Sequence, residues 1–273
     1  MDNYLAKQQP MFAFNVWDIN SAKAIIDGAL RIKKNIILQT SSSIFEQLDK
    51  KQLREFIDSY TSKKEIRVWL HLDHCKDMSL IKQAIECSWD SVMIDASDKN
   101  IDENISITNE VAEYAHDRGV LVEAEIGQVR GVEEDIVYNG SAVASFKDID
   151  IFMDKTNIDM IAAAFGNAHG VYGGEPQLHY DLVEHTVRRS GIPFVVHGGS
   201  GLSDEVIRKL LSINGVKKIN ISTEVKLAYR LGIIRAYDNG LLEQKGFQAV
   251  NVEKSIHDAI ADMVELKLRL LSN

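Results

Sequence analysis

The sequence predicts an α/β fold in which eight parallel strands close into a TIM (β/α)8 barrel with an additional C-terminal helix. Three observations carry that expectation. Short β-branched or aromatic runs alternate with longer amphipathic segments along the chain, the pattern of repeated βα units. The strand-like runs are mostly apolar with little polar alternation, as befits parallel strands covered on both faces. The signatures of a doubly wound open sheet are missing: no GxGxxG follows the first strand, and no GxxxxGK[ST] occurs.

In order, the strand candidates are MFAFNV (11–16), NIILQT (35–40), IRVWLHL (66–72), SVMIDA (91–96), VLVEAEI (120–126), MIAAAF (160–165), IPFVVH (192–197) and KKINIS (217–222). Between them, SAKAIIDGALRIKK, LDKKQLREFIDSYTSK, NISITNEVAEYAHDRG, LHYDLVEHTVRRSG and SDEVIRKLLSING have helical period. Several end in glycine, at 119, 191 and 215, the usual helix stop before a strand. With three prolines and no Ser/Gly/Pro-rich stretch there is no linker, so residues 1–273 read as one domain. The segment 240–273 ends in VEKSIHDAIADMVELKLRLL, a further helix expected to pack across the barrel or at an oligomer interface.

Composition narrows the function. Hydrophobic residues are 45% and charged residues 26% of 273, enough for a sizeable core. Thirty-one Lys and Arg against forty Asp and Glu leave a net charge of −9, which argues against a nucleic-acid or anionic-membrane binder while allowing a local phosphate pocket. Two cysteines, Cys75 and Cys87, form no CxxC pair, so a disulfide scaffold and a cysteine zinc ribbon are excluded. The first ten residues, MDNYLAKQQP, are polar, and no apolar run approaches the ~18 residues of a membrane span. The expectation is a cytoplasmic globular chain.

The active site of such a barrel forms at the strand C-terminal ends. Those ends supply Asn15, Ser41, Asp73 with His74, Asp95, Glu125, His169, His197 and Asn220. Of eight histidines, His116, His179, His185 and His257 lie in or beside helices and read as surface or capping residues. His71, His74, His169 and His197 fall at or near the ends of strands three, six and seven. Three imidazoles converging from separate strands match a catalytic zinc, which takes three protein ligands and keeps one position open. The alternative is that each is a satisfied core or loop histidine.

In HLDH (71–74), strand alternation puts His71 and Asp73 on one face and His74 on the other. His74 must therefore ride on the strand-to-loop bend if it is to share a site with Asp73, which can equally serve as the acid that orients an imidazole. GNAHG (166–170) and HGGSG (197–201) are glycine turns whose amides can face an anion, and Ser200, Ser222 and Thr223 would add hydroxyls. The segment 127–146 is long for a βα loop and carries Glu133, Glu134 and Asp135. It reads as a lid or as plain solvated surface.

LHLDH, SVMID, VEAEIG with GVEED, AFGNAHGVY, VHGGSG and KINIST occur in this order over residues 10–230. The set resembles the zinc-dependent class II fructose- and tagatose-bisphosphate aldolases. The resemblance implies a homodimeric or homotetrameric barrel that cleaves a ketose 1-phosphate or 1,6-bisphosphate of the fructose or tagatose type to dihydroxyacetone phosphate and an aldehyde; with the charge balance, no nucleic-acid or membrane partner is expected. It implies His74, His169 and His197 as Zn2+ ligands and Asp73 as the acid/base at the hydroxyl of the cleaved bond. Glu134, in GVEED, becomes the mobile-loop residue that exchanges a proton with the enediolate. Gly170, Gly198, Ser200, Asn220, Ser222 and Thr223 hold the dihydroxyacetone phosphate half. A monovalent cation (Na+ or K+) joins some of these backbones, and Asp95 and Glu125 stand near the metal as an alternate metal position.

The sequence also departs from that family. Gly173 and Gly174 follow Tyr172 where many members carry a phosphate-binding lysine, and Ser222 stands where an aspartate is common. No DPR-like segment for a distal phosphate follows residue 236. Arg230, just beyond strand eight, is the candidate contact for a distal anion, against a surface arginine on the eighth helix. Two other readings remain at this point: a zinc hydrolase on the same barrel, which gives GVEED no role, and a non-catalytic sugar-phosphate-binding accessory barrel.

Overall fold

The computed structural model describes residues 5, 9–133, 136–138, 143–170, 174, 176–243 and 245–271, with backbone alone for 130–133 and 136–138. Eight strands form a closed parallel barrel: β1 (Met11–Asn15), β2 (Ile36–Ser41), β3 (Val68–Cys75), β4 (Ser91–Ile94), β5 (Leu121–Ile126), β6 (Met160–Ala163), β7 (Phe194–Val196) and β8 (Val216–Ile221). β8 pairs with β1 to close the ring. Every expected strand is present. The largest difference is β3, which runs three residues past the expected end at Leu72, to Cys75.

The helices are α1 (Ile19–Arg31), α2 (Ser42–Gln47), α3 (Lys50–Thr61), α4 (Met78–Glu86), α5 (Ile101–His116), α6 (Phe146–Lys155), α7 (Tyr180–Ser190), α8 (Asp204–Ser212), α9 (Thr223–Asp238) and α10 (Ala249–Leu268). Their starts are chemical. The side chains of Asp18, Asn100, Ser145 and Ser203 each accept the N–H three residues on, satisfying a donor that helix geometry leaves bare. The expected glycine stops hold, with Gly191 in the left-handed conformation (φ +68°) closing α7. α2, α4 and α6 match none of the helical segments named from the sequence; α2, at six residues, is too short to display a period. No helix among the described residues is long and apolar enough to cross a membrane.

Alternation along the strands builds two cores. Phe12, Phe14, Leu38, Leu70, Leu72 and Val122 face the helices in one large cluster. Met11, Ala13, Ile37, Trp69, Leu121, Met160, Ala162 and Val195, with Leu5, form a second cluster inside the barrel. Two residues further along the same inward rows the side chains become polar and stay buried: Asn15, Gln39, His71, Asp73, Glu123 and Glu125. Lys218 and Asn220 sit beside Met11 and Ala13 in the β1–β8 register. An apolar floor thus gives way to a charged upper layer at the strand C-terminal ends.

The C-terminal helix α10 packs on the outer helices α1 and α9, and His257 pairs with Asp27 of α1 at 2.9 Å. Close approach is possible because each partner helix has a glycine at the crossing. A Cβ on Gly28 would lie 2.6 Å from the Ala261 carbonyl oxygen, and one on Gly232 would lie 2.4 Å from the Ile256 Cα. Gly232→Ala gains up to about 1 kcal/mol of helix propensity, but it forces backbone apart at a cost of about 1–3 kcal/mol. The expected net result is a lower Tm for Gly232→Ala, read by thermal denaturation. A raised Tm would show that α10 rests loosely on α9.

Candidate active site

The three rim histidines come together. His74 is the last residue but one of β3, His169 lies in a two-residue strand (Ala168–His169), and His197 follows β7. All three are buried, and one ligand nitrogen from each lies within 4.8 Å of the others. Their rings meet edge-on, with centroids 4.9 Å apart for His74–His169 and 4.5 Å for His74–His197. The alternation problem in HLDH is solved by the backbone. His74 has φ +46°, and the β3–β4 register shifts between Leu72 and Cys75. That conformation costs a non-glycine residue roughly 1–3 kcal/mol, and it brings His74 to the side that Asp73 already faces.

Carboxylates fix two of the rings. Asp95 Oδ2 lies 3.1 Å from His74 Nδ1, and Asp95 Oδ1 accepts from the Ser97 amide and hydroxyl. Glu123 Oε1 lies 2.8 Å from His197 Nε2. On the other edge of that ring, His197 Nδ1 and Glu125 Oε2 are 3.3 Å apart, and both are buried without a hydrogen bond. Three imidazole nitrogens and a carboxylate oxygen, two of these donors unsatisfied in a dry interior, suit a zinc-like divalent ion. Burial, and then the neighbouring His74, push the His197 imidazole below its usual range, toward the neutral form a metal ligand must have. Burial and the negative charge of Asp95 push the Glu125 carboxyl up to about 8.

Asp73 is held between two amides. Asn220 Nδ2 donates to Oδ1 at 3.1 Å and Gln39 Nε2 donates to Oδ2 at 2.8 Å. Gln39 also donates to Asn15 Oδ1 at 2.7 Å. Burial would raise the Asp73 carboxyl, but His74, His71 with its Nε2 3.7 Å away, Lys218 and His197 together hold it well below the usual carboxylate range. The amide oxygens Gln39 Oε1 and Asn220 Oδ1 are buried and accept nothing, so two acceptors flank an ionised acid where donors on a polyhydroxylated molecule would fit.

The 197–201 turn meets the start of α9, and the 166–170 turn is tied to it by Asn167 Nδ2, which donates to the His197 carbonyl at 2.9 Å. Gly198 has φ +66° and Gly170, directly after His169, φ +90°. Ser200 Oγ accepts from the amides of Ser222 at 3.1 Å and Glu224 at 3.3 Å. Its oxygen therefore caps α9, leaving its proton for an incoming acceptor. Ser222 Oγ is buried without a hydrogen bond, and Thr223 is the first residue of α9. A helix N-terminus with these hydroxyls is a place for an anion.

Two expected residues stand apart. Glu134 lies outside the described residues. Its flanks do not: 130–133 forms a hairpin with 136–138 and also pairs in parallel with Ala168–His169. Arg230 is exposed on α9, about 10 Å along the helix axis from Thr223.

Three site residues escaped the sequence reading: Gln39, Glu123 and Lys218. All are fully buried polar residues in apolar strands, and Lys218 Nζ lies 2.7 Å from Glu123 Oε2. The signal was their spacing. Glu123 and Lys218 stand two positions before Glu125 and Asn220, and Gln39 two before Ser41, so each shares an inward row with a rim residue already picked out.

Comparison with known proteins agrees with this geometry. The family model for class II fructose-bisphosphate aldolase matches residues 2–273. A 6-phospho-5-dehydro-2-deoxy-D-gluconate aldolase of Bacillus velezensis is 37% identical over 261 residues, covering 94% of this chain and 88% of the relative. A sulfofructosephosphate aldolase of Alkalicoccus urumqiensis is 29% identical, covering 96% and 90%. The crystal structure of the YdjI aldolase of Escherichia coli K12 superposes with a TM-score of 0.84 at 28% identity, covering 99% of this chain and 96% of that one. The chain belongs to the class II fructose-bisphosphate aldolase family.

Proposed function

We propose that this chain is a zinc-dependent aldolase that reversibly cleaves a ketose 1-phosphate or 1,6-bisphosphate to dihydroxyacetone phosphate and an aldehyde. The observation that carries the reading is the meeting of three buried imidazole nitrogens beside an acid, Asp73, kept ionised between two amide donors. His74, His169 and His197 would hold the ion, which supplies Lewis-acid stabilisation of negative charge on the ketose oxygens. Asp95 and Glu123 orient two of those ligands from behind.

The remaining chemistry is done by the chain's own groups. Asp73 takes the proton of the hydroxyl at the bond to be broken. That carbon–carbon bond then parts, the aldehyde leaves, and the electron pair stays on the dihydroxyacetone phosphate half as an enediolate. Glu134 returns a proton to its carbon, and in condensation both transfers reverse. The pairing of strand 130–133 with the strand of His169 supports this, since it ties the loop that carries Glu134 to the backbone of a ligand. Asn220 and Gln39 offer acceptors to substrate hydroxyls. Gly170, Gly198, Ser200, Ser222 and Thr223 receive the phosphate at the start of α9.

The distal half of the substrate is a separate matter. The relatives' names differ there, spanning a second phosphate, a carboxylate and a sulfonate, so an anion is the common element and Arg230 the residue we assign to it. We also infer a homo-oligomer. Leu227, Leu231, Ile234 and Leu266 are exposed on α9 and α10, an apolar surface of the kind a second copy covers.

Three measurements test the reading. Metal analysis is expected to give about one zinc per chain, with activity lost to a chelator, restored by Zn2+ or Co2+, and insensitive to borohydride in the presence of substrate. Borohydride inactivation would instead mean a lysine imine. Glu134→Ala is expected to keep its zinc while proton exchange at the dihydroxyacetone phosphate carbon slows by roughly 10²-fold or more; exchange at the wild-type rate would make Glu134 surface charge only. Arg230→Ala is expected to raise KM for a distally charged ketose and leave an uncharged ketose 1-phosphate nearly unaffected. Equal effects on both substrates, or none on either, would remove Arg230 from the site.

A further inference from the structure

Below the histidine cluster is a second grouping, His71, Asp73 and Glu123, whose donor atoms also lie within 4.8 Å of one another. This one already has its cation. Lys218 reaches into the barrel from β8 and places Nζ 2.7 Å from Glu123 Oε2, with Lys218 1% and Glu123 0% exposed. The pair spans the interior, because β7 and β6 separate the two strands in the ring. A lysine and a glutamate this deeply buried hold each other in place, since neither finds water. His71 completes the layer, with Nδ1 2.8 Å from Ser91 Oγ and Nε2 3.6 Å from Glu123 Oε2.

With Oε2 taken by the ammonium, the other oxygen of Glu123 stands 2.8 Å from His197 Nε2. A carboxylate accepts and does not donate, and a neutral imidazole has one N–H and one bare nitrogen. Nε2 must therefore carry the proton, and the lone pair falls to Nδ1, the buried atom that has no hydrogen bond. We propose that the Lys218–Glu123 ion pair is a positioning device that locks His197 in the Nε2–H tautomer and presents Nδ1 to the histidine cluster. The inference rests on reading that cluster as a metal site, and it adds two residues that never touch the metal or the substrate.

The test uses the full chain with 15N-labelled histidine, zinc-free and zinc-loaded. Long-range 1H–15N correlations on zinc-free wild type are expected to show His197 protonated at Nε2 alone; a proton on Nδ1 overturns the proposal with no variant needed. Glu123→Leu/Lys218→Met exchanges the pair for apolar residues of similar size, a change buried ion pairs often tolerate. Its zinc affinity, read by competition with a chromogenic chelator, is expected to fall about 10- to 100-fold with the zinc-free Tm not lowered. Glu123→Gln/Lys218→Met keeps a carbonyl oxygen for Nε2–H and is expected to recover most of the loss. Unchanged affinity and an unchanged tautomer in Glu123→Leu/Lys218→Met would overturn the positioning role and leave the metal site standing. A wild-type chain that binds no zinc would sink the metal reading, while the tautomer measurement still decides the role of the pair.

Discussion

Charge buried inside the barrel has to be compensated inside the barrel, and the architecture of the site follows from that constraint. Asp73, Asp95, Glu123 and Glu125 are all within 1% of full burial, where an isolated carboxylate would be strongly disfavoured. Each therefore has assigned partners. Lys218, His71 and His197 bring Glu123 down to about 2 against the effect of burial. Asp95 has His74 and Ser97, and Asp73 has Asn220 and Gln39. Glu125 is the exception. It has one backbone amide, from Val129, and the negative Asp95 nearby, so it is the acid whose ionised form is disfavoured. A divalent ion at the neighbouring cluster would supply the missing positive charge. The asymmetry among four similar carboxylates thus points to the same place as the geometry of the imidazoles.

Most of the fold is legible in the sequence because parallel strands between two apolar layers leave little room for ambiguity. Runs such as IRVWLHL and VLVEAEI are too apolar for a half-exposed sheet, and the helices between them carry their own caps and glycine stops. The ends are less legible where tertiary pairing extends a strand. β3 continues through Asp73 and His74 only because β2 and β4 still offer partners there. The rim histidines were legible as a group, since each sits where its strand ends. Gln39, Glu123 and Lys218 were not, because a single polar residue in an apolar run looks like noise until the inward row is traced. Glu123 is two residues from Glu125, and the row read as far as the rim residue passes it by.

His74 shows how local strain and placement are linked. Regular pleating would send it to the helix-facing side, where Leu70 and Leu72 pack. A left-handed residue at that point, in a strand whose register with β4 slips, turns the imidazole to the interior without moving Asp73 off its row. Two adjacent residues then serve one site, which an unbroken strand forbids. The hydrogen bond to Asp95 holds the turned ring. The unfavourable dihedral is thereby tied to an interaction that exists only in the folded barrel, the usual setting in which such strain persists.

The division of labour in the site follows from which elements carry it. The imidazoles, Asp73 and their orienting acids stand on strands or on residues that directly end them, braced on all sides by barrel neighbours. Ser200 is pinned by two amides at the start of α9. These positions tolerate little change without disturbing a packed interior. Arg230, the residue proposed for the far end of a substrate, stands instead on a helix surface, where it is exposed and substitution is cheap. On the proposed reading, a barrel built this way would keep one half of its substrate constant and let the other vary. Relatives whose names differ in the distal anion while sharing an aldol cleavage are what such a scaffold should produce.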